Sequence, residues 1–502
     1  MTSPDARRDD GLRLWAPAFV VLATFIVFSG SLTNGFVNWD DRQGLVGTTG
    51  WRGLGWTNLK WMFTTFDLGH YQPLSWLSLG LDYQLWGLSA FGIHLQSLLL
   101  HCGCALIMYL IGLRLLKDRA AAAVAALLFS LHPLRVESIA WAAERRDPLS
   151  TLFYLWTMLL WLDGKRRWAV LTALLSLSAK LSGITLPGVL LLLDVYPLKR
   201  WNKESALALL WEKIPFAVLA VVFLVINVFA QVSIATMPTL SQHGLAPRLF
   251  SSAYSLVFYL GKTVWPASLS PLYYGGSAAD HLSLWIGAGV AAALLAAAFK
   301  FPKLRPALAA AGAFYLMALI PYLGLVKSGR QIAADRYTYI ACAPFALLAA
   351  AALAGRGRAK LLIPAGLLLA PLAVASGRQT ALWQNSLLLW KQALAVEPYS
   401  DTPRPIIALG LIERGRLDEA TLYLEEQVNL FKGDFESRKM LLELAGKDGV
   451  SVAEHARIHG NLAKEYAAAG DHKKAAWHEN RARAYAEALP RKAQTRPVPK
   501  DR

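Results

Sequence analysis

The feature that most constrains this chain is a series of apolar runs, each about twenty residues long and separated from the next by a short polar gap. The first run, LWAPAFVVLATFIVFSGSLT, covers residues 14–33, and about 20 apolar residues in a helix suffice to cross the hydrocarbon core of a bilayer. Only 17% of the 502 residues are charged, whereas soluble domains carry about 25%. The 18 tryptophans and 17 tyrosines suit the membrane interfaces, where both are enriched. The pattern predicts an all-α, polytopic membrane protein.

The basic residues give these runs a predicted orientation. They cluster in the short gaps, and such gaps face the cytoplasm by the positive-inside rule. The N-terminal residues 1–13 are then cytoplasmic, everything after 376 is external, and 249–265 is either an interfacial helix or a pair of shallow crossings. The clustering also argues against nucleic acid as the partner of a chain with a net charge of +17. The threading predicts about eleven spans, near residues 14–33, 93–113, 119–131, 149–163, 167–179, 182–196, 213–231, 282–299, 306–323, 336–354 and 359–375.

The same threading brings many ionisable residues to the external face. External loops are predicted at 34–92, 132–148, 232–281 and 324–335, with a short turn at 180–181. Ionisable side chains close to the membrane are costly and often mark a substrate site, although each one alone also fits a side chain that snorkels. We therefore predict a site on this face. Its candidate residues are Asp40, Asp41, His70, His132, Glu137, Arg145, Arg146, Asp147, Lys180, Lys327, Arg330, Asp335 and Arg336.

Two adjacent carboxylates, Asp40 and Asp41, follow directly after the first predicted span. A solvated helix cap is the simplest interpretation of this pair. A functional site is the second, since repulsion between the two carboxylates would raise one pKa. A divalent metal site is the third and less favoured interpretation, because adjacent side chains diverge and further ligands would have to come from elsewhere. The three cysteines lie in apolar segments, which argues against a disulfide framework or a zinc site.

The composition changes near residue 385, beyond which the chain is charged and has no further run long enough to span. Two stretches, IALGLIERGRLDEA (407–420) and NLAKEYAAAGDHKKA (461–475), share one spacing of a small residue, Gly and Ala. This spacing is typical of tetratricopeptide hairpins, in which small residues let two helices approach. We predict a tetratricopeptide-like domain over 385–488 that binds a protein partner, with a generic helical hairpin as the alternative. The basic residues 489–502 are predicted to be disordered.

Seven segments, taken together, carry a resemblance to a known family. They are FVNWDD (36–41), YQPLSWLSLGLDYQLWGL (71–88), HPLRVESIAWAAERRDPLST (132–151), TLPGVLLLLDVYPL (185–198), YLGKTVWPASLSPLYY (259–274), ADRYTYI (334–340) and LWQNSLLLWKQALAVEP (382–398). In this order they resemble bacterial polytopic glycosyltransferases of the GT-C class with C-terminal tetratricopeptide repeats, which are relatives of the transmembrane-and-tetratricopeptide O-mannosyltransferases. The chain departs from them at Lys180-Leu181, where members often have Lys-Pro or Lys-Glu, and at Gln72, where animal relatives commonly have Arg.

The resemblance implies an enzyme that moves a sugar such as mannose from a polyprenyl-phosphate carrier to a hydroxyl of a protein or glycolipid. Transfer would proceed with inversion at the external face of the bacterial inner membrane. An acidic residue of the first external loop activates the acceptor, which implies Asp40 as the base and Asp41 as its orienting partner. Arg336, in the ADRYTY block, is implied as the donor-phosphate ligand because a guanidinium can contact phosphate in bidentate fashion. The further expected contacts are Lys180, Arg146, Arg330 and Gln72 for the donor, and His132, Glu137, His70 and Tyr71 for the sugar or acceptor.

Two other classes of protein fit parts of this pattern. A membrane scaffold or assembly factor would use the tail to bind protein partners, but it does not need an acidic pair and phosphate-binding cations on one face. A transporter usually shows repeat symmetry and polar residues near mid-span, whereas these runs are almost purely apolar. The sequence also leaves open whether His132 and Glu137 contact substrate or brace their loop, with Glu137 pairing to Arg135 or Arg145.

Overall fold

The computed structural model of the chain describes residues 4–233, 244–275, 277–324, 331–354, 358–431, 434–444, 451–468 and 470–487. The chain divides into two compact units, residues 1–385 and 386–502. Across the described ranges the regular structure is helical, apart from one isolated β-bridge between Tyr273 and Ala333. The predicted all-α fold is confirmed.

The first unit contains the helices that are long enough to cross a membrane. Its helices are α1 (Pro4–Phe28), α2 (Trp56–Thr64), α3 (Pro73–Trp86), α4 (Ala90–Leu116), α5 (Arg119–Ser130), α6 (Val136–Ala140), α7 (Arg146–Leu162), α8 (Arg166–Ala179), α9 (Leu186–Val195), α10 (Ala206–Trp211), α11 (Ile214–Ser233), α12 (Leu245–Val264), α13 (Ala278–Lys300), α14 (Arg305–Leu319), α15 (Thr338–Ala341), α16 (Ala343–Ala354) and α17 (Arg358–Leu382). Five segments in the described ranges are long and apolar enough to span, namely Trp15–Thr33, Ala90–Leu116, Ile214–Ser233, Ala278–Lys300 and Leu361–Leu382. Two bent helix pairs, Arg119–Ser130 with Pro133–Ala140 and Asp335–Ala341 with Ala343–Ala354, bring the number to seven if each pair is one span. The chain is a multi-pass membrane protein, as predicted.

The remaining predicted spans are helical but short. The helices α7, α8, α9 and α14 have 17, 14, 10 and 15 residues, whereas a helix that crosses unaided takes about 20. The count of eleven crossings therefore stays a prediction. The ambiguous stretch 249–265 lies almost entirely within one continuous helix, α12, rather than forming a pair of crossings.

A close approach between α12 and α13 depends on two glycines. A Cβ added at Gly261 would lie 1.9 Å from the carbonyl oxygen of Ser283, and one added at Gly287 would lie 1.9 Å from that of Val257. Small residues let helices in membranes approach backbone to backbone. This packing fixes the end of α12, which forms a wall of one of the cavities described below.

A buried core holds the two loops, predicted to be external, that carry most of the predicted site residues. Trp51 and Trp76 are fully buried in one cluster with Ala142, so the 34–92 loop packs directly on the 132–148 loop. Arg145 and Asp82 add a buried ion pair between the same two loops. The two loops therefore position their polar residues relative to each other.

The second unit consists of α18 (Ser386–Val396), α19 (Pro403–Ile412), α20 (Leu417–Leu430), α21 (Phe435–Leu444), α22 (Val452–Ala468) and α23 (His472–Glu487). The pairs α19–α20 and α22–α23 fall where the two hairpins were predicted. Gly415 and Gly470 stand between their helices with φ of 70° and 81°, a backbone conformation that glycine adopts without a steric penalty. Each of the two stretches thus includes parts of two successive helices with the glycine between them, while the tetratricopeptide assignment stays a prediction. The basic tail 489–502 lies outside the described residues.

Candidate active site

A polar cavity of about 320 Å³ lies where the loops of the first unit meet. Its walls come from residues 39–40, from the turn before α3, from residues around 144–146 and 180–182, from α11, and from the segments around 321–324 and 331–337. The structure thereby gathers residues that are almost 300 positions apart in the sequence. The predicted site residues that line this cavity are Asp40, His70, Tyr71, Gln72, Arg146, Lys180 and Arg336.

Asp40 and Asp41 are adjacent in sequence but occupy different environments. Asp40 lines the cavity, whereas Asp41 is buried behind it with 1% of its surface exposed. The two carboxylate oxygens of Asp41 accept hydrogen bonds from the backbone N–H groups of Val37, at 2.9 Å, and Ala143, at 2.8 Å. Burial raises the pKa of Asp41 to about 7, against the effect of these two hydrogen bonds. Asp41 therefore ties its loop to residue 143, and Asp40 is the carboxylate that faces the cavity.

The environment of Asp40 suits a proton acceptor. Burial raises the pKa of Asp40 above its ordinary value, and the nearby charge of Arg146 opposes this rise without cancelling it. A general base works best when its pKa approaches the working pH. A carboxylate with a raised pKa therefore accepts a proton more readily than an exposed aspartate does.

Glu144 lies at the centre of the charged cluster on the cavity wall. Its fully buried carboxylate pairs with Arg146 at 2.7 Å and with Lys180 at 3.1 Å. The same carboxylate lies 3.4 Å from Nε of Arg336. Burial alone would raise the pKa of Glu144, but Arg146 and Lys180 outweigh burial and hold this pKa well below its ordinary value. One carboxylate thus holds three cations in fixed positions.

Arg336 is anchored to the cavity wall on its other side by Glu137. Nη1 of Arg336 pairs with one carboxylate oxygen of Glu137, and the backbone N–H of Arg336 donates to the other at 2.8 Å. The guanidinium also lies 5.3 Å from the centre of the Trp141 ring. Of the alternatives left open for Glu137, the structure does not show pairing with Arg135 or Arg145, because Arg336 contacts both of its oxygens. Glu137 is not among the residues that line the cavity and reaches it through Arg336.

The turn before α3 supplies neutral polar groups to the same cavity. Oε1 of Gln72 accepts a hydrogen bond from Nη1 of Arg146 at 3.4 Å. The backbone N–H of Tyr71 donates to Oδ1 of Asn227 on α11 at 3.1 Å. Burial, followed by the positive charge of Arg146, lowers the pKa of His70 to about 3. The imidazole of His70 is therefore neutral at pH 7 and can exchange hydrogen bonds with a sugar hydroxyl.

His132 is not part of this cavity. Its Nδ1 accepts a hydrogen bond from the N–H of Leu134 at 3.2 Å, which leaves the proton on Nε2 to be donated to the carbonyl oxygen of Thr263 at 2.9 Å. These bonds brace the end of α5 against α12, and the side chain borders a separate apolar cavity. The structure therefore does not place His132 where a sugar or acceptor contact was predicted. Arg330, like Lys327, lies outside the described residues.

Sequence reasoning missed several residues of the polar cavity, among them four that contribute polar side chains. Glu144 stands within the ERRD block, but its role among the cations follows only from the fold. Asn227 and Gln231 lie four residues apart in the apolar α11, and both line the cavity. Two polar residues at this spacing share one helix face, so the sequence did contain a signal. Tyr322, whose ring stacks on Tyr337 at 4.5 Å between centres, had no comparable signal.

The fold and the cavity define a multi-pass, all-α membrane protein with a charged cavity built from its polar loops. The cavity combines the carboxylate of Asp40 with three cations that share the buried carboxylate of Glu144. Within the described ranges, no group of three or more His, Cys, Asp or Glu side chains is arranged to hold a metal ion. This arrangement suits a ligand that carries a phosphate and a hydroxyl group.

The chain is similar in sequence to several protein O-mannosyl-transferases. It is 29% identical to Tmtc1 of Drosophila melanogaster over 324 residues, which are 56% of this chain and 38% of that protein. It is 30% identical to human TMTC1 over 241 residues, which are 42% of this chain and 27% of that protein. The match to Tmtc2 of Drosophila melanogaster is 30% identical over 179 residues and covers 32% of this chain and 19% of that protein. The chain thus spans well under half the length of these relatives. Its predicted relationship to the transmembrane-and-tetratricopeptide O-mannosyltransferases is confirmed.

Two further comparisons complete this description. No family model matches the chain. Among solved structures, the chain is similar to ArnT from Cupriavidus metallidurans bound to undecaprenyl phosphate, with 18% sequence identity and a TM-score of 0.39 over 90% of this chain and 80% of that chain.

Proposed function

We propose that this protein is an inverting glycosyltransferase that moves a sugar from a polyprenyl-phosphate carrier to a hydroxyl acceptor. The observation that supports this most strongly is the placement of Asp40 in one cavity with Arg146, Lys180 and Arg336. In such a cavity, a proton acceptor would lie beside the hydroxyl acceptor, and cations would lie beside the phosphate of the donor. The relatives named above are O-mannosyl-transferases, which makes mannose the sugar that we propose first.

In the proposed reaction, Asp40 acts on the acceptor. The acceptor oxygen attacks the anomeric carbon while its proton passes to the carboxylate of Asp40. The bond between the anomeric carbon and the phosphate oxygen breaks, and the polyprenyl phosphate leaves with the electron pair. Asp41 does not replace Asp40 in this proposal because it is buried behind the cavity wall, where an acceptor in the cavity does not reach it.

The cations act on the leaving group. Breaking the bond to the sugar turns a phosphodiester into a monoester, whose charge at pH 7 is about −1.5 to −2. Fixed cations stabilise charge that develops in the transition state, and Arg336, Arg146 and Lys180 are held in place by Glu144. The donor phosphate would share these cations with Glu144 rather than bind to free side chains. Glu144 is thus a positioning residue in this mechanism.

The proposed acceptor is a protein or glycolipid at the external face, and the second unit is proposed to bind a protein partner. The orientation is open to a direct test. Single cysteines replacing Ser386 and Arg166 should be labelled by a membrane-impermeant thiol reagent from opposite sides, Ser386 from outside. Labelling of both positions from the same side would contradict the threading and the external placement of the cavity.

The function itself is tested with the purified full-length chain in detergent. Polyprenyl-phosphate mannose and polyprenyl-phosphate glucose are supplied in parallel with peptide and glycolipid acceptors, and transferred sugar is measured by mass spectrometry. The proposal expects transfer from one of these donors and inversion at the anomeric carbon. Failure to release polyprenyl phosphate from either donor with any acceptor, by protein that is folded, would favour the membrane scaffold instead.

A further inference from the structure

The first unit contains a second, apolar cavity of about 570 Å³. Its walls come from the ends of α5 and α12 and from α16 and α17, with Phe129, Trp265 and Ala346 among the lining side chains. Cavities of about 300 to 1,000 Å³ are typical of sites for small ligands. It shares no lining residue with the polar cavity in the part of the chain that the structure describes. It is therefore a separate candidate site.

A single charged side chain, that of Arg135, borders this apolar cavity. Arg135 is 2% exposed, and its Nη1 donates to the carbonyl oxygen of Thr338 at 2.9 Å. Its guanidinium lies between the rings of Phe129 and Tyr339, at 5.3 and 5.2 Å from their centres. Its Nε has no hydrogen-bond partner, and the side chain forms no ion pair within the described ranges. Among the residues that the structure describes, Arg135 is thus a buried cation that forms no ion pair with a carboxylate.

This situation differs from that of the other buried arginines nearby. Arg145 pairs with Asp82, and Arg336 pairs with Glu137. A buried charge is costly unless a counter-charge and hydrogen bonds compensate for it. An anion in the cavity would supply both to Arg135. The apolar walls require that the rest of the ligand be hydrocarbon.

We propose that this cavity binds an anionic phospholipid of the bilayer, with its phosphate at Arg135 and one acyl chain along the apolar walls. Charge matching favours a phospholipid over a polyprenyl phosphate. A phospholipid phosphodiester carries one negative charge, equal and opposite to one guanidinium, whereas a phosphate monoester carries about −1.5 to −2 at pH 7. The bound lipid would also act on the segment that carries Arg336, because Arg135 is hydrogen-bonded to Thr338.

The test measures lipid retention by the delipidated full-length protein in detergent. Phosphatidylglycerol, phosphatidylcholine or undecaprenyl phosphate is added, and bound lipid is quantified by native mass spectrometry together with the shift in Tm. We expect phosphatidylglycerol to be retained and to raise Tm. Phosphatidylcholine should do so much less, because its choline cation offsets the charge of its phosphate. Arg135→Gln should reduce phosphatidylglycerol retention about tenfold or more, as the loss of hydrogen bonds to a charged group predicts.

A second variant keeps the test decisive if Arg135→Gln does not fold. Ala346→Phe fills the apolar cavity and leaves Arg135 in place, and it should also abolish retention. The matched control is Ala311→Phe, which fills a different apolar cavity, lined by parts of α4, α7, α9, α14 and α16, and which should retain the lipid. Equal retention of phosphatidylglycerol by Ala346→Phe and the unmodified protein would overturn the proposal. Equal retention of phosphatidylcholine, or displacement of phosphatidylglycerol by undecaprenyl phosphate, would also overturn it.

Discussion

The polar cavity and the apolar cavity of the first unit differ in how the charge of their buried cations is compensated. In the polar cavity, Arg146, Lys180 and Arg336 all contact the carboxylate of Glu144. In the apolar cavity, the guanidinium of Arg135 lies against two aromatic rings and donates to one carbonyl oxygen. The first arrangement holds its cations in place before a ligand arrives. The arrangement around Arg135 leaves the positive charge of its guanidinium to be compensated by the proposed ligand.

One short stretch of sequence contributes residues beside both cavities. His132 and Glu137 are five residues apart, yet His132 bonds to Thr263 beside the apolar cavity and Glu137 bonds to Arg336 beside the polar one. The 3₁₀ turn and the short helix α6 between them point successive side chains in different directions. Proximity in sequence therefore does not assign these two residues to one site.

The largest expected effect on this comparison comes from removing the shared acid of the polar cavity. Glu144→Gln keeps the shape of the side chain but leaves the three cations short of a counter-charge. Breaking a buried ion pair costs about 3–5 kcal/mol, so we expect a marked fall in Tm, measured by thermal unfolding in detergent. Added polyprenyl phosphate should restore more of the Tm in this variant than it adds to the unmodified protein.

The control for this prediction is Glu204→Gln, which removes one partner of the more exposed Glu204–Arg200 pair. Such exposed pairs contribute about 0–1 kcal/mol, so its Tm should barely change. Equal effects of the two substitutions would mean that Glu144 does not hold the cations of the polar cavity together.

A smaller effect is expected from altering one phosphate ligand while keeping its charge. Arg336→Lys loses the two-pronged contact of the guanidinium, and loss of hydrogen bonds to a charged group costs about 1.5–3 kcal/mol. Donor affinity should fall by about one to two orders of magnitude, as measured by titration with the polyprenyl-phosphate sugar. Arg114→Lys, in an exposed pair with Asp163, is the matched control and should bind the donor normally. Unchanged affinity in Arg336→Lys would remove Arg336 from the donor site.

The smallest effect is expected from the residue that the structure moves out of the polar cavity. His132→Asn should lose one neutral hydrogen bond, at a cost of about 1 kcal/mol, and should leave donor and acceptor KM unchanged. His70→Asn, which alters the wall of the polar cavity, should raise the KM for a substrate. A raised donor KM in His132→Asn alone would reverse the assignment of the two histidines and erase the distinction between the cavities.

The sequence predicted the architecture and the meeting of distant residues, for identifiable physical reasons. Apolar runs of bilayer length and the positions of basic gaps determine which loops share a face, and this was enough to bring Asp40 and Arg336 into one cavity. The length of the shorter helices was not predictable in this way. The helix α9, for example, has 10 residues, and hydropathy does not report where a helix breaks.

The sequence also did not predict which residues the charged side chains pair with. Glu137 had two arginines within eight positions, but its partner is Arg336, 199 residues away. Likewise, the sequence of the pair Asp40–Asp41 does not reveal which of the two carboxylates faces the polar cavity. That depends on the backbone N–H groups of Val37 and Ala143, which only tertiary packing brings to Asp41.

The most direct test of the central claim compares Asp40→Asn with Asp41→Asn by the rate of sugar transfer per folded molecule across a range of pH. Loss of a general base costs about 100- to 10,000-fold in rate, and this loss is expected for Asp40→Asn with donor binding intact. The unmodified protein should lose activity as the pH falls through the pKa of Asp40, at a higher pH than for an exposed aspartate because burial raises this pKa. Asp41→Asn should lose about 1–3 kcal/mol of stability, because one backbone N–H loses its acceptor, and should turn over almost normally. Near-normal turnover of Asp40→Asn, or a larger loss in Asp41→Asn, would contradict the assignment of Asp40 as the base.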